Sequence, residues 1–447
     1  ILARLLAKND FGLIAVAALA INYLSVLKDV GLGAAFIQRK GDVRDAANTV
    51  FTINIIIGLI LSALIIPLAP LVATYFRDPE VTLVLRWMGV SFIINALGSV
   101  HTNWLVRELD YRRKLIPELG GAVTKGVISI GMALLGYGVW SLVFGQIAGA
   151  IVSVVLVWIV VPWRPRLTFD RRVARSLMGF GASVMAIDII SQITDNIDYV
   201  IVGRIFGLVP LSIYTLAYRL PEMLLIGNLW VMAGVVFPAF STIQDRPNEL
   251  KRGFLASVRI VDLITVPISL GLLIAATPIV KVVFGDQWLD IIPILRVLAI
   301  YAWVYSLGYH VGGLYKAIGR PDISLKLSLV TLLVLIPSLL IGAKFGLVGI
   351  AVGHLVAVLI RRITSLAVAT RFVKVSMVDI FGQLKPSFIS ALVMTPITLV
   401  VLNLTLSLHP FLQLTFVVLS GAASYLFMLW WIERENLVAL FRMIKVL

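Results

Sequence analysis

Asp188, Ser191, Gln192, Asp195 and Tyr199 recur at three- and four-residue intervals in an otherwise apolar stretch, which puts them on one face of a helix. The opposite face carries Ala186, Ile190, Ile193 and Ile197, and one turn before Asp188 the polar stripe gives way to Val184. Carboxylates in such a stripe can bind a cation, carry a proton or line a hydrated path; they can also act as a hydrogen-bonded seam between helices. Asp198, near the end of the same stretch, is expected at an interface. Asn22, Ser25 and Asp29 share a face of a second apolar stretch, with Lys28 beside them. An ammonium group there would suit a phosphate-bearing ligand, while a Lys28 that snorkels to water is the plainer alternative. Tyr301, Tyr305 and Tyr309 form an i, i+4, i+8 stripe followed by His310. Aromatic faces can pack on sugar rings, but such stripes also occur as core or interfacial belts.

The elements holding these residues must be membrane helices. Apolar residues make up 60% of the 447 and charged residues 14%, with a mean hydropathy of +1.02. Soluble domains run nearer 45–50% apolar and about 25% charged. Apolar runs of about 20 residues, the length that crosses a bilayer, recur throughout. Thirteen spans are expected: 11–36, 46–72, 81–105, 116–135, 139–161, 176–202, 212–240, 258–282, 290–315, 325–343, 346–368, 386–404 and 411–432. The chain starts at Ile1 inside an apolar segment, so a further helix before it is expected, giving fourteen.

The net charge is +15. A basic balance can mean nucleic acid, but here the Lys and Arg residues gather in alternate loops, 23 against 6. The positive-inside rule accounts for that without a nucleic-acid partner and makes the rich loops cytoplasmic, with both ends of the full-length chain on that side. There are no cysteines, which excludes disulfides, thiolate nucleophiles and cysteine metal sites.

Three stretches repeat in order. "ARLLAKNDFGLIAVA" (3–17) matches "GRIFGLVPLSIYTLA" (203–217), with Arg4 on Arg204. "LRWMGVSFIINALG" (85–98) matches "LRVLAIYAWVYSLG" (295–308), and "GVWSLVFGQ" (138–146) matches "GLVGIAVGH" (346–354). Duplicated halves are a transporter habit. The expected fold is an all-α polytopic membrane protein of two six-helix lobes plus two further helices. Its boundaries are 1–161 for the first lobe, 162–175 for a basic cytoplasmic linker, 176–368 for the second lobe and 369–447 for the last two helices and tail.

"VRELDYRRKLIPE" (106–118) and "YKAIGRPDISLK" (315–326) occupy the same place in each half. Positive-inside anchoring accounts for most of their charge. Arg107, Arg112, Arg113, Lys316 and Arg320, near Glu108, Asp110 and Asp322, could also form a salt-bridge gate between lobes. No P-loop, HExxH, G-x-S-x-G or strand-borne GxGxxG is present, so no enzyme, metal or nucleotide-driven pump is expected, and no cofactor.

The chain resembles bacterial polysaccharide exporters of the lipopolysaccharide and colanic-acid branch, in the multidrug, oligosaccharidyl-lipid and polysaccharide flippase superfamily. In the first half the resemblance rests on "ARLLAKNDFGLIAVA", "DVGLGAAFIQRK" (29–40), "NTVFTINIIIG" (48–58), "LVRELDYRRKLIPEL" (105–119) and "GYGVWSLVFGQ" (136–146). In the second it rests on "NIDYVIVGRIFG" (196–207), "YTLAYRLPEM" (214–223) and "LYKAIGRPDISLK" (314–326). It implies a V-shaped transporter that alternates between inward- and outward-facing states. The implied substrate is an undecaprenyl-diphosphate-linked oligosaccharide, turned across the inner membrane with its lipid tail left in the bilayer. Coupling to a proton or sodium gradient, cavity cations that hold the diphosphate, and a polymerase or export machinery as partner come with the same resemblance. Candidate cavity residues are Lys28, Asp188, Gln192, Asp195, Arg204, Arg219 and Arg4. A cation-coupled drug exporter and a non-transporting membrane scaffold are the rival readings.

Overall fold

A computed structural model describes the chain apart from residues 30, 31, 39–42 and 445–447. The side chains of 29, 34, 35, 38, 172, 173, 175–188, 230, 231, 233–235, 321 and 435–444 are likewise outside the described residues. Asp29 and Asp188, two acids of the expected stripes, fall in that set, as do Arg39 and Lys40 of the first basic loop.

The chain forms two compact units, Ile1–Ser212 and Ile213–Leu447. The first unit opens with the short α1 (Leu2–Leu5), α2 (Lys8–Asp29) and α3 (Leu32–Gln38). It continues through α4 (Val43–Phe76), α5 (Glu80–Gly89), α6 (Ser91–Arg107), α7 (Tyr111–Leu134), α8 (Val139–Val160) and α9 (Arg171–Phe206). The boundary falls inside α10 (Leu208–Pro221). The second unit holds a π-helical turn, Glu222–Ile226, then α11 (Gly227–Ile243), α12 (Pro247–Ile274), α13 (Ala276–Val283), α14 (Ile291–Ser306) and α15 (Val311–Ala317). It ends with α16 (Pro321–Ala343), α17 (Gly346–Val373), α18 (Met377–Leu404) and α19 (Pro410–Ile444).

Among the described residues, ten helical stretches are long and apolar enough to cross a membrane. The other three expected spans fall on α7, α9 and α10–α11. The first two carry more charge, with Arg112, Arg113, Lys114, Glu118 and Lys125 on α7. The third is broken by the π-helical turn into pieces of 14 and 17 residues. Large apolar side chains stand exposed along the helices, for example Leu333, Leu392 and Phe427. That is what a lipid solvent requires, since helices satisfy their own backbone and apolar faces gain nothing by hiding from hydrocarbon.

Each unit contains a helical hairpin drawn tight by small residues. In the first, a Cβ on Gly149 of α8 would come within 2.7 Å of the Gly121 carbonyl on α7. In the second, α16 and α17 approach at Gly342 and Gly349 in the same way. The residues that turn into α8 and α17 are Gly138 (φ 52°) and Gly346 (φ 77°), both left-handed. These are the outer glycines matched by the sequence repeat, and the backbone conformation explains why both are glycine.

The packing boundary at 212/213 lies after α9, although the repeat starts the second half near 176. Helix α9 packs on α2, α3 and α4 of the first unit. Residues 161–170, which precede it, form no helix or strand and are fastened to the start of α4. There Arg166 N donates to Asn48 Oδ1 (2.9 Å), Asp170 N to Thr49 Oγ1 (3.3 Å) and Thr52 Oγ1 to the Thr168 carbonyl (3.0 Å).

Candidate functional site

The polar stripe of α9 meets α2. Gln192 and Tyr199 are half-buried, whereas Ser191 and Asp195 are exposed. Tyr23 on α2 lies within electrostatic reach of both Asp195 and Asp198. Lys28, one to two turns further along α2, is half-buried. Asp195 thus lies on an exposed part of α9.

Asp198 is completely buried, because the α9 face bearing Thr194 and Asp198 is the one turned into the first unit, whereas Asp195 is exposed. A three-residue step on a helix rotates by about 300°, enough to separate the two acids when a packed face is narrow.

The candidate cations spread out. Arg204 donates from Nη1 to the Tyr75 carbonyl (2.6 Å) and lies over the Tyr75 ring at 4.9 Å, so it ties the end of α9 to the end of α4. Arg4 is exposed on α1. Arg219 is exposed and pairs with Glu222 at 3.1 Å, one turn away.

Of the expected gate residues, Arg107 donates to the Phe36 carbonyl (2.7 Å) and stands over its ring, joining α6 to α3. Arg113 pairs with Asp110, which also caps α7 by accepting from Arg113 N (3.0 Å). Arg320 grips Asp322 with two hydrogen bonds, Nε to Oδ1 at 3.0 Å and Nη2 to Oδ2 at 3.2 Å, and this raises its pKa. Arg112 and Lys316 are exposed.

The second unit adds further side chains to the tyrosine stripe. Tyr218 on α10 donates to the Tyr301 hydroxyl (3.2 Å), and His354 of α17 lies 4.4 Å from the Tyr301 ring. The tyrosine stripe continues from Tyr301 to Tyr305 (6.0 Å) and Tyr309 (5.9 Å). It ends against Arg362, whose guanidinium lies 4.4 Å from the Tyr305 ring centre. Arg362 is only 7% exposed. It donates to the Gly308 carbonyl at 3.4 Å, freed where α14 breaks before α15, and its Nε has no acceptor among the described residues. His310 is buried beside Phe254. The helix period of α17 carries the signal that was overlooked: His354, Val358, Arg362 and Ser365 all lie on its buried face.

Two further polar features also went unread. Asp262 of α12 is fully buried, and its Oδ1 accepts from Trp303 Nε1 of α14 at 3.0 Å. Arg259, one turn earlier, forms an ion pair with Glu433 of α19. Below them, α12, α13, α18 and α19 line an apolar groove of about 720 Å³, with Pro267, Gly271, Met394 and Gly421 in its walls. Among the described residues no group of acids and histidines could hold a metal ion.

Residues 1–293 match the family described as polysaccharide biosynthesis protein. The chain belongs to that family. Its similar proteins include the lipopolysaccharide biosynthesis protein WzxC of Escherichia coli K12, 27% identical over 82% of this chain and 75% of the relative. The teichuronic acid biosynthesis protein TuaB of Bacillus subtilis 168 is 26% identical, over 68% of this chain and 63% of its own. The succinoglycan biosynthesis transport protein ExoT of Rhizobium meliloti 1021 is 28% identical, over 67% and 61%. The chain thus spans less than two thirds of the length of the latter two.

Among solved structures, the polysaccharide biosynthesis chain superposes on the lipid II flippase MurJ in an inward closed conformation with a TM-score of 0.78. That match covers 98% of this chain and 96% of the other at 17% identity. An inward-facing multidrug resistance transporter of the MATE family and MOP superfamily gives 0.71 over 84% and 93%. The fold is therefore the all-α, polytopic, MurJ- and MATE-like fold that the sequence implies. It is a multi-pass membrane protein.

Proposed function

We propose that the protein turns lipid-linked polysaccharide repeat units across the bacterial inner membrane by alternating access. In this reading an oligosaccharide joined to a long isoprenoid through a diphosphate keeps its tail in the bilayer while the polar head crosses. Membership of the polysaccharide biosynthesis family is the observation that carries it, and the fold shared with MurJ agrees.

Two parts of the structure support the chemistry. Asp195 and Gln192 on α9, with Lys28 on α2, give the first unit a wet, polar face at membrane depth. In the second unit, Arg362 is a buried cation set against tyrosine rings. A guanidinium takes phosphate oxygens in a two-pronged fashion, and aromatic faces accept sugar rings. Arg204 and Arg219 are engaged with Tyr75 and Glu222, and Arg362 is the buried cation beside the tyrosine stripe.

The remaining parts of this reading are the fourteen-helix count, the duplicated lobes, the arginine-rich loops on the cytoplasmic side, and proton or sodium coupling through the α9 acids. So are a gate using Arg112, Arg113, Lys316 and Arg320, and a working contact with a polymerase or export machinery. The test is a deletion strain. Lipid-linked repeat units should accumulate in the cytoplasmic leaflet and return to normal on complementation. Unchanged surface polysaccharide, with a gain in sensitivity to cationic drugs, would instead make it a drug exporter.

A further inference from the structure

One end of the first unit holds a cavity of which the transport reading uses only Arg113. It encloses about 570 Å³ and is bounded by the start of α4, the end of α6, the start of α7, the end of α8 and the irregular segment after it. Its charged lining is Arg44, Arg113, Arg164 and Arg166 against Asp45 and Glu108, a net of two positive charges. It shares no residue with the polar face of α2 and α9.

We propose that this cavity binds a phosphoryl group whose attached ring or glycerol body lies on Trp104 and Trp163. Three observations carry the proposal. The cationic residues lining the cavity are all arginine. The positive-inside rule is satisfied equally by lysine, whereas phosphate recognition by a flat, forked donor set is specific to arginine. Second, the cavity has an aromatic wall. The Trp104 and Trp163 rings stack 5.6 Å apart at 21°, backed by the buried His101, itself stacked on Trp158 at 4.7 Å. Third, the wall is built before any ligand arrives. Asn48, nearly buried, accepts from Arg166 N at 2.9 Å and holds that segment to α4. Arg164 gives its Nη1 to the Trp158, Val161 and Trp163 carbonyls (3.0, 2.8 and 3.0 Å). That closes the end of α8 and leaves the N–H groups on Nε and Nη2 without an acceptor among the described residues. Glu108 is occupied in part, accepting from Trp104 Nε1 at 2.6 Å, so it opposes an anion less than its formal charge implies.

The phosphoryl group has two sources, the headgroup of an anionic phospholipid or a soluble phosphate compound. The full chain is placed in nanodiscs of phosphatidylcholine with or without phosphatidylglycerol, and lipid retention is read by native mass spectrometry after gentle delipidation. Separate samples in phosphatidylcholine alone are titrated with inorganic pyrophosphate, with Trp fluorescence as readout. Arg44→Gln/Arg166→Gln removes two of the four guanidinium groups. Arg44→Lys/Arg166→Lys keeps the charge and loses the fork, and it serves should the first variant fold poorly. Retention of phosphatidylglycerol that falls about tenfold in the Gln variant and severalfold in the Lys variant supports the lipid source. A saturable pyrophosphate response with the same losses supports the soluble source. Equal retention of the two lipids with no pyrophosphate response overturns the proposal, as does binding unchanged in both variants.

Discussion

Arg362→Met is expected to make the protein more stable and to abolish transport. Arg362 is 7% exposed, and no carboxylate pairs with it among the described residues. Burying a cation costs several kcal/mol even after the surroundings relax. Against that stand one cation–π contact with Tyr305 at 4.4 Å, worth about 2 kcal/mol when desolvated, and one long hydrogen bond to the Gly308 carbonyl at 3.4 Å, worth at most about 1 kcal/mol. The unsatisfied Nε adds about 1–3 kcal/mol of cost. The balance is unfavourable by about 1–5 kcal/mol, and methionine fills a similar volume without the charge. Thermal shift of the purified protein in detergent should show a rise of a few degrees for Arg362→Met, with Arg362→Lys no better than the parent. In cells, both variants should lose surface polysaccharide. A drop in melting temperature for Arg362→Met, or wild-type polysaccharide levels with it, would refute the reasoning and make Arg362 a structural strut.

Three other outcomes follow from the packing. Asp262→Ala strands the Trp303 indole N–H and should cost about 1–3 kcal/mol, whereas Asp262→Asn keeps an acceptor at that place and should be near neutral; thermal shift of the two variants side by side decides it. Gly149→Val drives a side chain into the Gly121 carbonyl, 2.7 Å from where its Cβ would sit. It should cost about 1–3 kcal/mol or more, read as loss of the monodisperse peak in fluorescence-detected gel filtration. Arg204→Ala removes the tie to Tyr75 and should lower the melting temperature while leaving transport within about twofold; a selective loss of transport at normal stability would return Arg204 to the substrate path.

The helical character and ten of the thirteen expected spans were legible because they follow from a local rule, the length of an apolar run. The sequence repeat matched Gly138 with Gly346, but their left-handed backbone is a finding of the structure. Burial within a helix face was harder. Asp195 and Asp198 look alike in the sequence, yet one is exposed and the other sealed, because only the neighbours α2, α3 and α4 decide which side of α9 is packed. Asp262 and Trp303 are 41 residues apart, and nothing local to either announces the other. Arg362 looked like one of a basic pair at a helix end. Its burial follows from the break between α14 and α15, which turns the Gly308 carbonyl toward α17, and that break has no strong sequence signal beyond the glycine itself.

The central claim is that this chain moves a lipid-linked oligosaccharide from one leaflet to the other. Its most direct test is reconstitution of the purified full chain into liposomes carrying a labelled isoprenoid-diphosphate oligosaccharide, with exposure of the sugar to an impermeant lectin or oxidant followed over time. The account predicts faster exposure of inner-leaflet substrate than in protein-free liposomes, lost in Arg362→Met although that variant folds. Exposure rates equal to those of empty liposomes, with folded protein of confirmed orientation in the same membranes, would contradict it.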